Sequence, residues 1–159
     1  MLERALLVVT LTGGAALGLL WPLHKDPAPA TADGGTQVAI ARSSDKHYYA
    51  QANVNGQPVR FLIDTGASET ALTEEDAKKV GLNIDPAKFE LVGEGASGMV
   101  RGQYVQLASI DVDGIRQSNA KAVVVEGAPI SLLGQPFLES IDEIVIRKGE
   151  MVLRDSSKG

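Results

Sequence analysis

From about residue 46 onward, apolar and polar residues alternate with a period of two over much of the chain, the pattern of strands buried on one face. Tyr48 to Val54 and Val59 to Ile63 both follow it and flank Asn55-Gly56, a pair suited to a two-residue hairpin turn whose residues take positive φ. A second hairpin is expected at Asp113-Gly114. A third is expected at Lys148-Gly149, where Ile144-Val145-Ile146 returns as Met151-Val152-Leu153. One helix interrupts the strands: Thr73-Glu74-Glu75-Asp76 is a capping-box-like start, Leu72 can staple onto Ala77, and Gly81 supplies a C-terminal stop. These signals describe an all-β domain with one or two short helices.

The first residues break the pattern. Ala5 to Trp21 carries no charge and is at the short edge of what spans a bilayer as a helix. Trp21 stands where an interfacial aromatic belongs, Pro22 ends the helix, and Lys25-Asp26 returns to water. Arg4 and the amino terminus favour the cytoplasmic side, leaving the rest of the chain beyond the membrane. A cleavable signal peptide competes, with small-residue sites at Ala28-Pro29-Ala30 and Ala30-Thr31-Ala32. Their distance from Trp21 and the proline favour an uncleaved anchor. Gly14 to Gly18 matches the small-residue pattern of paired membrane helices, although Gly and Ala are frequent in such helices anyway. Residues 25–44, rich in Pro, Ala, Thr, Gly and Ser, are expected to form a flexible tether. The expected organisation is an anchor at 1–24, the tether at 25–44 and one folded domain at 45–156.

Composition narrows the chemistry. The chain of 159 residues has a formal net charge of -5, which gives nucleic acid no basic surface. Cysteine is absent, and His24 and His47 are the only histidines, so neither thiol chemistry nor a zinc site is expected.

One segment carries chemistry of its own. Phe61-Leu62-Ile63-Asp64-Thr65-Gly66-Ala67-Ser68 places a carboxylate at the end of an apolar strand, next to a residue that needs no side-chain room. A dehalogenase-type phosphotransferase would need a second Asp where Gly66 stands. A serine-hydrolase elbow would need a second glycine after Ser68. Asp-Thr-Gly can also be ordinary turn punctuation. Gly93-Glu94-Gly95-Ala96-Ser97-Gly98 spells a dinucleotide-binding fingerprint, but the fingerprint needs a helix opening at its glycines, and Met99 to Leu107 alternates like a strand. A hairpin with its tip at Gly95 to Gly98 is the better reading. Further on, Leu132-Leu133-Gly134 precedes Gln135-Pro136-Phe137-Leu138, where Pro136 fits a helical first turn.

Taken in order, the Asp64 hairpin, the glycine-tipped hairpin and Leu132-Leu133-Gly134 with its helix resemble the retropepsin-like aspartic proteases, in particular their bacterial membrane-anchored branch, over about Lys46 to Arg154. The resemblance implies an acid-protease barrel and, because the signature occurs once, a homodimer in which two Asp64 carboxylates meet on a two-fold axis. Two such groups cannot both ionise cheaply, so they share a proton and act together as base and acid on water and peptide. It further implies that Thr65 bonds across the axis, that Gly66 and Ala67 shape the loop, and that Ser68 holds the outer oxygen of Asp64. Gly95, Ala96, Ser97 and Gly98 would be the tip of a flap closing over substrate, and Leu132, Leu133 and Gly134 would lie beside the catalytic loop. No metal or cofactor is implied. The implied partners are a second copy, a protein or peptide substrate and the membrane, with the domain in the periplasm on a single-pass inner-membrane anchor. Two departures stand out: the flap lacks the branch's usual Thr-Ala-Asn-Gly-like stretch, and Gln135 stands where retroviral enzymes often carry Arg. The alternative is a module of the same fold that binds peptide without cutting it.

Overall fold

The computed structural model describes residues 34–95 and 98–156. The expected anchor, its signal-peptide alternative and the Gly14 to Gly18 pattern all lie outside the described residues, as do Ala96 and Ser97 of the expected flap tip. No helix among the described residues is long and apolar enough to cross a membrane.

The strands are β1 Thr36–Ala41, β2 Tyr49–Val54, β3 Gln57–Ile63, β4 Ala71–Leu72, β5 Glu90–Gly95, β6 Gly98–Val112, β7 Ile115–Val125, β8 Ser131–Leu133, β9 Glu143–Arg147 and β10 Glu150–Asp155. Two short α-helices, α1 Glu74–Lys79 and α2 Gln135–Leu138, and a 3-10 turn at Pro86–Lys88 complete the described elements. Strands β2, β3, β8, β4, β7 and β6 follow one another around a sheet that closes when β2 also pairs with β6, at Asn53 opposite Asp111 and Val54 opposite Ile110. The result is a closed six-stranded barrel, with β5 extending it beyond β6. Closure leaves no free edge within the ring.

Local sequence accounts for the turns. Asn55 and Gly56 have φ of 51° and 82°, and Asp113 and Gly114 have 47° and 98°, the positive pairs a two-residue hairpin requires. Asn55 does more than turn the chain: its side chain donates to the Val80 carbonyl at 3.3 Å and accepts from the Ala108 amide at 2.8 Å. The first hairpin is thereby tied to the end of α1 and to β6. Helix α1 begins as its residues dictate, with the Thr73 hydroxyl accepting the Asp76 amide at 3.0 Å and acidic residues in the first turn. Asp76 in turn accepts from the buried Ser131 hydroxyl at 2.6 Å, joining the helix start to β8.

Burial alternates along β2 and β3 as the sequence pattern requires. Phe61, Leu72, Leu107, Ile110, Leu133 and Phe137 fill the barrel with no exposed surface. Thr70 is equally buried, yet among the described residues its hydroxyl has no hydrogen-bond partner. Thr70→Val, which keeps the shape and removes the unpaired group, is expected to stabilise the fold by about 1 kcal/mol, read as a raised Tm.

A second sheet corrects the expected tether. Residues Thr36–Ala41 form β1, antiparallel to β10 along its whole length, and β9 completes the order β1-β10-β9. Val38 and Ile40 supply the buried face of β1. In the sequence these two residues stand within small and polar neighbours, and the strand that pairs with them lies at the other end of the domain. The folded unit therefore begins before residue 45. At its margins, the Tyr49 hydroxyl on Asp45 lowers the Asp45 pKa to about 2, and Ser156 lowers that of Asp142. Both carboxylates keep their hydrogen bonds above the usual carboxylate range, and the stabilisation is lost as pH falls through the lowered values, near 2 for Asp45.

Candidate active site

Asp64 follows directly on β3, and its amide donates to the Leu133 carbonyl at 3.1 Å, continuing the parallel pairing of β3 with β8. The chain then turns sharply: the Ala67 amide returns to the Asp64 carbonyl at 3.2 Å, and the Gly66 amide donates to Asp64 Oδ1 at 2.8 Å. This amide fixes the direction of the carboxylate. A Cβ at position 66 would stand 3.2 Å from Asp64 Oδ1, so glycine lets the turn close tightly over the acid. Asp64 is half-buried, while Thr65 and Ser68 are exposed on the loop surface.

From Thr70 the chain re-enters the barrel. The Thr70 carbonyl accepts the Val123 amide at 2.9 Å, and β4 runs parallel to β7 and antiparallel to β8. Strands β3 and β4 thus flank β8, and the Asp64 loop bridges them. Below the loop, the start of α2 takes up two of its backbone carbonyls. Gln135 donates its amide to the Ala67 carbonyl at 2.9 Å and its side-chain Nε2 to the Thr65 carbonyl at 2.7 Å.

Gly134 sits against this loop so closely that a Cβ there would lie 2.1 Å from the Glu69 carbonyl oxygen and 2.8 Å from that of Ala67. Of the three residues expected beside the loop, Leu133 and Gly134 touch its backbone, and Leu132 is half-buried and lines an adjoining cleft. That cleft, about 450 Å³, runs between β8, the Gly127 to Ile130 segment and the Gly98 to Arg101 end of the β5–β6 hairpin. Ala71, Val100, Ile130 and Leu132 give it apolar walls. Arg101 crosses its rim to Glu126, its Nη1 donating to both carboxylate oxygens at 3.1 and 3.3 Å, while its Nη2 donates to the Phe89 carbonyl at 2.7 Å.

Glu90–Gly95 and Gly98–Val112 are strands paired to one another, with a bulge between Leu91 and Gly93. The glycine run therefore opens no helix, and its phosphate-binding reading falls with that. Gly95 and Gly98 face each other at the hairpin end, and Gly98 has a φ of 112° that glycine alone adopts readily. Met99 and Leu91 leave this hairpin 64% and 57% exposed, an apolar surface on a part of the molecule with no described cover.

Residues 50–140 match the family model described as a gag-polyprotein putative aspartyl protease. The chain belongs to the retropepsin-like aspartic protease family. Its fold is similar to that of a retropepsin-like aspartic protease from Rickettsia conorii, with a TM-score of 0.64 and 34% identity over 76% of this chain and 91% of that one. It also resembles the EIAV protease complexed with the inhibitor HBY-793, at a TM-score of 0.51 and 20% identity over 63% and 92% of the two chains, a likeness of fold alone. Among curated relatives, the uncharacterized protein RP867 of Rickettsia prowazekii (strain Madrid E) is 38% identical over 74% of this chain and 51% of its own length. An uncharacterized protein in the cobV 5' region of Sinorhizobium sp is 34% identical over 77% of this chain and 54% of its own. The chain spans about half the length of these curated relatives.

Within this retropepsin-like frame, two details differ from the expected loop. The described hydrogen bond to the Asp64 carboxylate comes from the Gly66 amide, not from Ser68, which points to solvent. Gln135, noted in the sequence only as a departure, is the side chain that holds the loop from beneath. Its place directly after Leu-Leu-Gly was the one available signal, because a long amide at the first turn of α2 can reach back to the loop packed on Gly134. Gln135→Leu keeps the bulk and removes the donor. We expect it to cost about 0.5–1.5 kcal/mol in stability and to lower kcat more than it raises KM, measured by thermal melts and peptide kinetics.

Proposed function

We propose that this chain is an aspartic endopeptidase whose active unit is a homodimer. The observation that carries the reading is the Asp64 carboxylate, aimed by the Gly66 amide from a loop pinned by β8 and α2 and opening beside an apolar cleft. Each chain brings one such acid in the family signature, so the reaction needs two copies. With the carboxylates facing across a two-fold axis, one ionised Asp64 takes a proton from water as its oxygen attacks the scissile carbonyl carbon. The protonated partner delivers its proton to the carbonyl oxygen. Collapse of the resulting diol, with proton transfer to the amide nitrogen, breaks the C–N bond. The acid pair and water suffice for every proton transfer in this sequence.

Substrate binds as an extended strand between the β5–β6 hairpin and the cleft floor, with main-chain bonds supplying affinity and the cleft walls selectivity. The uncharged Ala5 to Trp21 stretch supports a membrane anchor with the protease domain in the periplasm, where limited, regulatory cleavage of exported or membrane-protein segments is the suited task. A pure binding module has no use for a pair of carboxylates that repel one another.

The chain incubated with a diverse peptide library should cut a subset of peptides, and a transition-state-mimicking aspartic protease inhibitor should stop it. Specific activity should also rise with enzyme concentration, following the dimer population. Peptides left intact at every pH between 3 and 8 in such an assay, on the order of the range where a carboxylate pair titrates, would remove the protease reading.

A further inference from the structure

We infer that Glu74 is a positioning residue for substrate selection: from the first turn of α1 it holds the Gly127 amide, and through it the wall that decides which side chain the apolar cleft accepts. This rests on the endopeptidase reading above and specifies what sets its selectivity. The wall is residues 127–130, the end of the segment that joins β7 to β8. It is thin. Gly127, Ala128, Pro129 and Ile130 line the cleft of about 450 Å³ and also a second cavity of about 370 Å³, which Thr73, Glu74 and Asp76 of the α1 start line as well. With space on either side, the wall has little packing to hold it, and its position depends on the bonds at its ends.

Both ends are held from the start of α1. At the far end the fully buried Ser131 donates its hydroxyl to Asp76 at 2.6 Å and accepts the Thr73 amide at 3.1 Å. At the near end the Glu74 carboxylate accepts the Gly127 amide at 3.3 Å. The last bond between β6 and β7 on this side runs from the Glu126 amide to the Arg101 carbonyl at 2.9 Å, and Gly127, with a φ of 64°, turns its own amide to the helix instead.

The two ends differ in strength. Ser131 makes two bonds inside the core, whereas the Gly127 end rests on one longer bond to a half-buried carboxylate, so this is the end that yields. Arg101 grips the neighbouring Glu126, but it does so from the hairpin that covers substrate. Glu74 stands on a helix start tied to β8, and it keeps the wall in place when that hairpin opens. Without it, the wall swings into the cavity behind and no longer discriminates by side-chain size.

The test compares the full chain with Glu74→Ala, Glu74→Gln and Glu75→Ala on one cleaved peptide, whose apolar residue beside the cut bond is changed in turn to Ala, Val, Leu, Phe and Trp. Glu74→Ala is expected to keep kcat on the preferred peptide within about twofold and to raise its KM. The spread of kcat/KM across the series should narrow by about three- to tenfold, the range of one hydrogen bond. Glu74→Gln, whose side-chain oxygen still accepts from Gly127, should keep the wild-type spread, as should Glu75→Ala at the exposed next residue. A wild-type spread too small to narrow, an unchanged spread in Glu74→Ala, an equal loss of kcat on every peptide, or a Glu74→Gln variant that behaves as Glu74→Ala would each overturn the role of Glu74 and leave the protease standing. A wild-type chain that cuts no peptide would instead overturn the endopeptidase reading on which it rests.

Discussion

Replacing Asp64 by Asn is expected to lower peptide cleavage by about 10³-fold or more, the range over which a positioned acid–base group acts, while Tm and dimer mass stay close to wild type. The fold should tolerate the change because the side-chain oxygen of the new amide can still accept the Gly66 N–H that now reaches Asp64 Oδ1 at 2.8 Å. What is lost is the shared proton, since an amide can neither take a proton from water nor give one to the carbonyl. In mixtures the variant should also poison the wild type. With a ninefold excess of variant and time for subunit exchange, most active chains pair with an inactive one, and activity should fall by about tenfold by mass action. Full activity in the variant alone would end the proposed mechanism. Absence of poisoning, with exchange demonstrated by mass, would place a complete site in one chain.

Gly134→Ala is expected to be as damaging for a different reason. Its Cβ would meet the Glu69 carbonyl oxygen at 2.1 Å, the Glu69 carbonyl carbon at 2.7 Å and the Ala67 carbonyl oxygen at 2.8 Å. All three are backbone atoms of the segment that leaves the Asp64 turn, so no side-chain rotation relieves the overlap. Either β8 and α2 separate from the loop, or the loop moves and takes Asp64 with it. We expect destabilisation of about 1–3 kcal/mol or more and loss of most activity, even in protein that remains folded at the assay temperature. Thermal melts and kinetics on the same sample check both parts. A melt within a degree of wild type, with full activity, would show that the packing of β8 on the loop carries no function.

The two substitutions touch the same few residues but were legible to different degrees. Asp64-Thr65-Gly66 is recognisable in the sequence because its geometry is local: the Asp64 carboxylate, the Gly66 amide and the Ala67 amide lie within four residues of one another. The same holds for the positive φ values at Asn55-Gly56 and Asp113-Gly114 and for the Thr73 cap on α1, where residue type and backbone need coincide. Alternating burial on β2 and β3 follows from the period of the strand itself.

Other features depend on which distant segments meet. Val38 and Ile40 alternate among small residues, a signal too weak to mark β1 until β10 offers Val152 and its neighbours as a partner. The second role of Asn55, between Val80 and Ala108, exists only because barrel closure brings α1 and β6 to the hairpin tip. Gly134 reads in the sequence as the end of a strand, and the carbonyls of Ala67 and Glu69 make it indispensable. Gln135 likewise gains its task when α2 packs under Thr65. Sequence alone thus determined the Asp64 turn, the hairpins and the helix start, since each is closed by hydrogen bonds between near neighbours. The tertiary structure decided what supports that turn, because a close approach or a bond between remote residues depends on the path of the whole chain and leaves no periodic trace in either segment.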